Sequence, residues 1–211
     1  MRRLATLVLA GLLAGCKLAS VRPLPSSGAA ALDTRVFDAS AYAESVWSSR
    51  VLPTVEREAT DCARLLASLK SDPEGTTRRL GRGPRGPQYF LVKGEGRVVS
   101  VDRSSRTGLV GLDVGPADGQ AAGKADVWLQ IGPVIQGMAI RDAVGFIAFD
   151  QFLNQIEYAD AGNALNQRVL DTVARDFDVE RAKGSVVSFV GALTPGERAV
   201  ITPVRLQRKP E

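Results

Sequence analysis

Between Asp126 and Arg168 the sequence DVWLQIGPVIQGMAIRDAVGFIAFDQFLNQIEYADAGNALNQR changes its hydrophobic period once, from the alternation of a strand to the spacing of a helix. Alternating segments flank it on both sides. A chain that leaves a sheet for one long helix and then returns to strands has few architectures open to it.

On the N-terminal side, Tyr89 to Val92 and Arg97 to Val101 read as one strand broken at Gly94-Glu95-Gly96, where glycine permits a bulge or bend. A turn over Ser104 to Gly108 leads to a strand with Val110, Leu112 and Val114 on one face. A glycine-rich loop, Gly115 to Gly123, leads to another with Val127, Leu129 and Ile131. In the helix, Asp142 or Asp150 is expected to cap, Phe149, Phe152, Leu153 and Ile156 to form an apolar face, and Asp160-Ala161-Gly162 to mark an irregularity before Leu165, Val169 and Val173. Ser185 to Val190 and Ala199 to Leu206 are the closing strands, with Pro203 placing the last at an edge or a bulge.

Three strands, a helix and two strands is the order of the OB fold, a small Greek-key barrel whose helix plugs one end. The expected class is therefore α+β, with N-terminal helices packed on a five-stranded OB-like β-barrel and a long helix between its third and fourth strands. Another α+β sheet with helices on one side is the competing reading.

The start of the chain concerns address rather than fold. Met1-Arg2-Arg3 precedes the short apolar run LATLVLAGLLAG and then Cys16, the layout of a secretory signal over residues 1–15. Leu13-Ala14-Gly15-Cys16 resembles the bacterial lipobox, which implies that Cys16 is lipidated and becomes the first mature residue. The protein is then held at the membrane through Cys16, facing the periplasm. Lys17 follows where an aspartate often signals retention at the inner membrane. Residues 16–35, rich in Pro, Ser, Ala and Gly, read as a tether.

A helical region is expected over 36–80 and the barrel over 88–207. Asp38 or Ser40 caps a first helix through Trp47. A second begins at Pro53 and runs on with Val55, Ala59, Cys62, Leu66 and Leu69 as a buried stripe, and Asp72-Pro73-Glu74 restarts a third. From Thr76 to Gly94 there are five basic residues and no acid, which reads as a solvated basic loop or as a contact for anionic lipid headgroups or an acidic partner.

Removing the signal lowers the net charge from +4 to about +2. That charge, the few aromatic residues and an extracytoplasmic address argue against nucleic acid. The chain has no histidine, which excludes His-based triads and His-ligated metal sites. No cofactor or metal is expected. Cys62 is the only cysteine besides Cys16, so no internal disulfide framework exists.

The lipobox, FDASAYAESVWSSRVLPTVEREA, KGEGRVVSVD and above all IGPVIQGMAIRDAVGFIAFDQFLNQIEYADAGNALN together resemble the predicted periplasmic lipoproteins of the domain of unknown function 2291. The resemblance spans Phe37 to Val204. It implies a bacterial envelope lipoprotein of a family frequently encoded beside simple-sugar ABC transporters, and it implies no reaction. Met138 stands where a small hydroxylated residue is expected, which argues against a ligand role for that side chain.

The function expected on these grounds is non-enzymatic: an accessory protein that binds a small polar ligand or a component of a sugar ABC transporter. Arg141, Asp142, Asn154, Gln155 and Asn166 are the candidate contacts, able to meet sugar hydroxyls or, equally, to cap helices and satisfy buried backbone. The alternative is a hydrolase acting on an envelope glycan with paired carboxylates from Asp142, Asp150 and Glu157.

Overall fold

The folded chain opens on a capped helix. The Asp38 carboxylate accepts the Ala41 N–H at 2.9 Å ahead of α1 (Ala39–Val46), which passes through one π turn, Trp47–Val51, into α2 (Leu52–Glu58). In this computed structural model residues 36–84, 88–104, 106–115 and 123–210 are described, and the unit that begins at Phe37 contains every element named below. The signal, Cys16 and the tether lie outside the described residues.

The single helix expected after Pro53 is divided. Ala59 is extended, Thr60–Asp61 (β1) adds in parallel to the barrel, and Asp61 caps α3 (Cys62–Ser71) by accepting the Arg64 N–H at 2.9 Å. The break resets the stripe: Cys62 and Leu65 are buried, while Leu66 and Leu69 are half-buried. Asp72 then caps α4 (Pro73–Leu80). Three arginines of the basic stretch are paired with acids: Arg78 with Glu74 at 3.8 Å, Arg79 with Asp72 at 3.4 Å and Arg82 with Glu58 at 2.7 Å. Arg85 lies outside the described residues.

The remaining strands are β2 (Phe90–Asp102), β3 (Leu109–Asp113), β4 (Val127–Gln130), β5 (Val186–Thr194) and β6 (Val200–Arg208). Their order is β1-β2-β3-β4-β6-β5, and β2 also pairs with β5, so β2 to β6 close a five-stranded barrel. Closure depends on the length of β2. Its first part, Phe90 to Arg97, pairs antiparallel with β5, and its last part, Arg97 to Asp102, with β3.

No break occurs at Gly94 to Gly96; the irregularity falls between Val98 and Ser100. The glycines serve packing instead. A Cβ on Gly96 would lie 3.1 Å from the Asp113 carbonyl oxygen and from Leu112, and one on Gly94 3.3 Å from the Phe189 ring. Pro203 sits at the register shift between β5 and β6, opposite Gly191, as its missing N–H requires.

Alternation along these strands serves two cores. Phe90, Val92, Val98, Leu112, Leu129, Val187, Phe189, Leu193 and Ile201 turn into the barrel with Cys62 and Leu65. On the other face, Leu91, Ala192 and Val204 meet a helical layer built from α1, α2, α5 (Ala139–Ala143) and α6 (Gln155–Val169). The long helix therefore covers the outer wall rather than plugging the barrel. Ala174 and Phe177 after it, with Val179 and Ala182 of the short α7 (Val179–Ala182), pack against the interior together with Cys62 and Leu65 of α3.

Two further expectations for this helix are corrected. It is continuous through Asp160-Ala161-Gly162, and its irregularity is a π turn at Leu170–Ala174. Its apolar face does not reach back to Phe149: Phe149–Gln151 is a single 3-10 turn, Phe152 is buried, and Phe149, Leu153 and Ile156 are 49%, 78% and 72% exposed.

Candidate functional site

Ala139, Ile140 and Ala143 bury one side of α5, which turns Arg141 and Asp142 towards α6. Their side chains, only 11% and 10% exposed, pair with Arg141 Nε 2.8 Å from Asp142 Oδ1. Arg141 Nη1 donates to the Tyr158 carbonyl at 3.0 Å, and the guanidinium lies 3.7 Å from the centre of the Tyr158 ring. The Tyr158 hydroxyl donates to Asp142 Oδ1 at 3.3 Å, and the Tyr89 phenol lies within the influence of the same carboxylate.

Burial is the main reason both phenols hold their protons more tightly than usual. For Tyr158 the Arg141 charge opposes that rise and the Asp142 charge adds to it; for Tyr89 the Asp142 charge adds and the Arg141 charge opposes. Protonated phenols are donors, which is what a buried carboxylate needs. One turn further along α6, Gly162 lets Met138 and Arg141 approach: a Cβ there would sit 2.4 Å from Met138 Sδ. Met138 is thus a packing residue in this structure. Asn166 donates from Nδ2 to the Gly137 carbonyl at 2.8 Å and fixes the loop ahead of α5, whose Gly137 has φ of +78°.

Asn154 and Gln155 stand apart from this cluster. Asn154 Oδ1 accepts the N–H groups of Ile156 at 2.9 Å and Glu157 at 3.0 Å, while Glu157 Oε2 accepts that of Leu153 at 3.0 Å. This reciprocal cap starts α6, a role expected of Asp142 or Asp150. Asp142 lies inside α5, Asp150 is exposed in the 3-10 turn, and Gln155 is exposed in the first turn of α6. Of the five candidate residues the structure brings together Arg141, Asp142 and Asn166, at the seam of two helices. The three acids of the hydrolase reading are spread over an ion pair, an exposed turn and a helix cap.

An open concavity lies elsewhere, at the barrel end formed by the β2–β3 turn. A cavity of about 470 Å³ has Val101, Leu109, Val110, Ile131, Pro133 and Val179 as its apolar lining, with Arg103, Ser104 and Arg106 beside them. The turn is fixed to the end of β4: Ile131 N–H donates to the Gly108 carbonyl at 3.0 Å and Gly132 N–H to that of Thr107 at 2.7 Å. Gly132 is required there, because a Cβ would lie 2.4 Å from the Thr107 carbonyl carbon.

Next to this end, Arg198 of the β5–β6 turn lies 4.9 Å from the centre of the Trp128 ring and 3.6 Å from Asp102. An apolar floor beside a few convergent donors is the general character of small-ligand sites. The loops joining the first two and the last two barrel strands are also those with which OB folds bind. Sequence reading missed this cavity: its lining comes from three separate segments, and Arg103 and Arg106 look like ordinary turn residues.

Among the described residues no group of three or more His, Cys, Asp or Glu side chains could hold a metal ion, and no helix is long and apolar enough to cross a membrane. Compared with known families, the sequence matches the one described as "Predicted periplasmic lipoprotein (DUF2291)" over residues 6–207. Among solved structures, the crystal structure of an OB-fold protein from Thermotoga maritima is similar, with a TM-score of 0.64 at 19% identity, covering 83% of this chain and 100% of that one. At that identity the likeness speaks for the fold alone. No curated protein matches the chain.

Proposed function

The chain belongs to the family of predicted periplasmic lipoproteins of the domain of unknown function 2291, and on that premise we propose that it is a non-enzymatic accessory binding protein of the bacterial envelope, serving a simple-sugar ABC transport system. The observation that carries the reading is the cavity at the β2–β3 turn. Its size lies in the range of small-ligand sites, and it sets apolar side chains beside Arg103, Ser104 and Arg106. A sugar ring presents an apolar C–H face and an edge of hydroxyls, and an arginine fork suits that edge or an acidic substituent.

Arg141, Asp142 and Asn166 act in this reading as the frame that holds α5 and α6 on the barrel wall. Each already has internal partners at hydrogen-bond distance, so a ligand would have to displace them. The carboxylate hydrolase is the second reading, because Asp142 is engaged by Arg141 and Tyr158 and Glu157 by the Leu153 N–H.

The test uses the full mature chain with Cys16→Ser, which removes the lipid, in a thermal-shift screen against simple sugars and sugar acids. A ligand that binds only the folded state raises stability by about 2.7 kcal/mol at a hundredfold excess over its dissociation constant. We expect at least one sugar to raise the Tm and Arg106→Ala to abolish the rise while leaving the unliganded Tm unchanged. If no sugar shifts the Tm, or Arg106→Ala leaves the shift intact, the cavity is not the site of a sugar ligand.

A further inference from the structure

Phe149, Leu153 and Ile156 form an exposed apolar edge around the start of α6, in a protein whose other large apolar side chains from Phe37 onward are at least half-buried. The backbone there is not loose: Asn154 and Glu157 cap the helix from both sides, and Gln151 Nε2 donates to the Phe146 carbonyl at 3.0 Å. Beneath the edge lies a layer of rings. Phe152 meets Phe37, Tyr42 and Tyr158 at centroid distances of 5.5, 5.4 and 5.4 Å, and Phe149 meets Tyr158 at 5.7 Å. The exposed side chains therefore stand on a firm base.

The identity of what covers this edge follows from where the chain enters the fold. Phe37 is the first residue of the folded unit, and its ring packs edge-on against Phe152, which directly precedes Leu153. The segment carrying the family's lipid anchor thus joins the folded unit beside the edge. Residues 17–35 span at most roughly 60 Å when fully extended. An anchor within that reach keeps the edge at high local concentration near the bilayer, so even weak insertion is favoured.

Charge narrows the chemistry of the surface. From Phe149 to Glu157 the sequence holds Asp150 and Glu157 and no basic residue. This segment offers no basic side chain to anionic headgroups, and apolar contact is what it presents. We propose that Phe149, Leu153 and Ile156 are a docking surface that seats the folded unit on the lipid bilayer holding its own anchor.

The experiment places an environment-sensitive fluorophore at Ile156→Cys, or at Lys93→Cys on β2, in the full lipidated protein reconstituted into phosphatidylethanolamine–phosphatidylglycerol vesicles. Cys16 is occupied by lipid and Cys62 is fully buried, so the new cysteine takes the label, and mass spectrometry of the acylated N-terminus verifies the anchor beforehand. A quencher on the lipid acyl chains should quench the label at 156 several-fold more than the label at 93. Leu153→Ser, at the most exposed of the three positions, should remove most of that difference without lowering the Tm, and raising the salt should leave it unchanged.

Equal quenching at both positions overturns the proposal. So does a blue shift of the label at 156 that depends on protein concentration without vesicles, which assigns the edge to a second copy, or one that needs an added transporter component. Because sugar binding is read without vesicles, its failure and the failure of membrane docking are separate results.

Discussion

Asp142 accepts hydrogen bonds from Arg141 and Tyr158, and its charge reaches the Tyr89 phenol; the three groups come from different stretches of sequence. Removing one member of such an enclosed pair strands the other. Asp142→Ala should therefore cost about 3–5 kcal/mol of stability, whereas Arg141→Met with Asp142→Leu should cost far less, since an apolar pair of similar volume has no charge to desolvate. Urea unfolding of the three proteins decides the matter; equal midpoints for Asp142→Ala and the parent would mean that the pair is not structural. Position 141–142 was legible in the sequence as a polar pair at a helix. Its phenolic partners were not, because 53 residues separate Tyr89 from Asp142 and no local pattern joins them. Cys62, by contrast, was readable as core from its apolar neighbours alone, and burial pushes its thiol up to about 12, so it is inert at neutral pH.

At the scale of elements, the strands were easier to read than the helices. Period-two alternation at Val110–Leu112 and Val127–Leu129 is imposed by the barrel wall itself, and it survives tertiary packing. Helix starts depend on which of several capping side chains wins, and here Asn154 wins over Asp142 and Asp150. The apolar residues Phe149, Leu153 and Ile156 misled because their spacing fits a helical face, yet they lie ahead of the cap or on its outer side. Asn154→Ala should lower stability by about 1 kcal/mol through loss of the cap, seen as a fall in Tm with little change in the cooperativity of melting. An unaltered Tm would show that Glu157 and packing hold the start of α6 without it. The division of α2 from α3 was hidden for a related reason: the stripe Val55, Ala59, Cys62 is compatible with one helix, and only the pairing of Thr60 and Asp61 with Val92 and Lys93 reveals two.

For the whole molecule, the order of elements carried the fold class, since three strands, a helix and two strands can close as an OB barrel and the long β2 supplies the bend. The sequence did not disclose that β2, β5 and β6 each serve two cores, because that requires knowing which helices lie outside. This double use predicts strong cooperativity. A chain ending at Gly196, and so lacking β6, should lose Ile201 from the barrel and Val204 from the helical layer together and show no near-ultraviolet circular dichroism of packed aromatics. A native-like spectrum from that truncated chain would mean that the helical layer folds independently of the barrel.

The position of β6 carries one more consequence. It is the last strand in the chain, yet it lies between β4 and β5 in the sheet rather than at an edge. A polypeptide secreted from its N-terminus could not shut the barrel until Val200–Arg208 had crossed in its turn. Up to that moment the barrel stays open, and it locks only after the final strand has arrived on the far side.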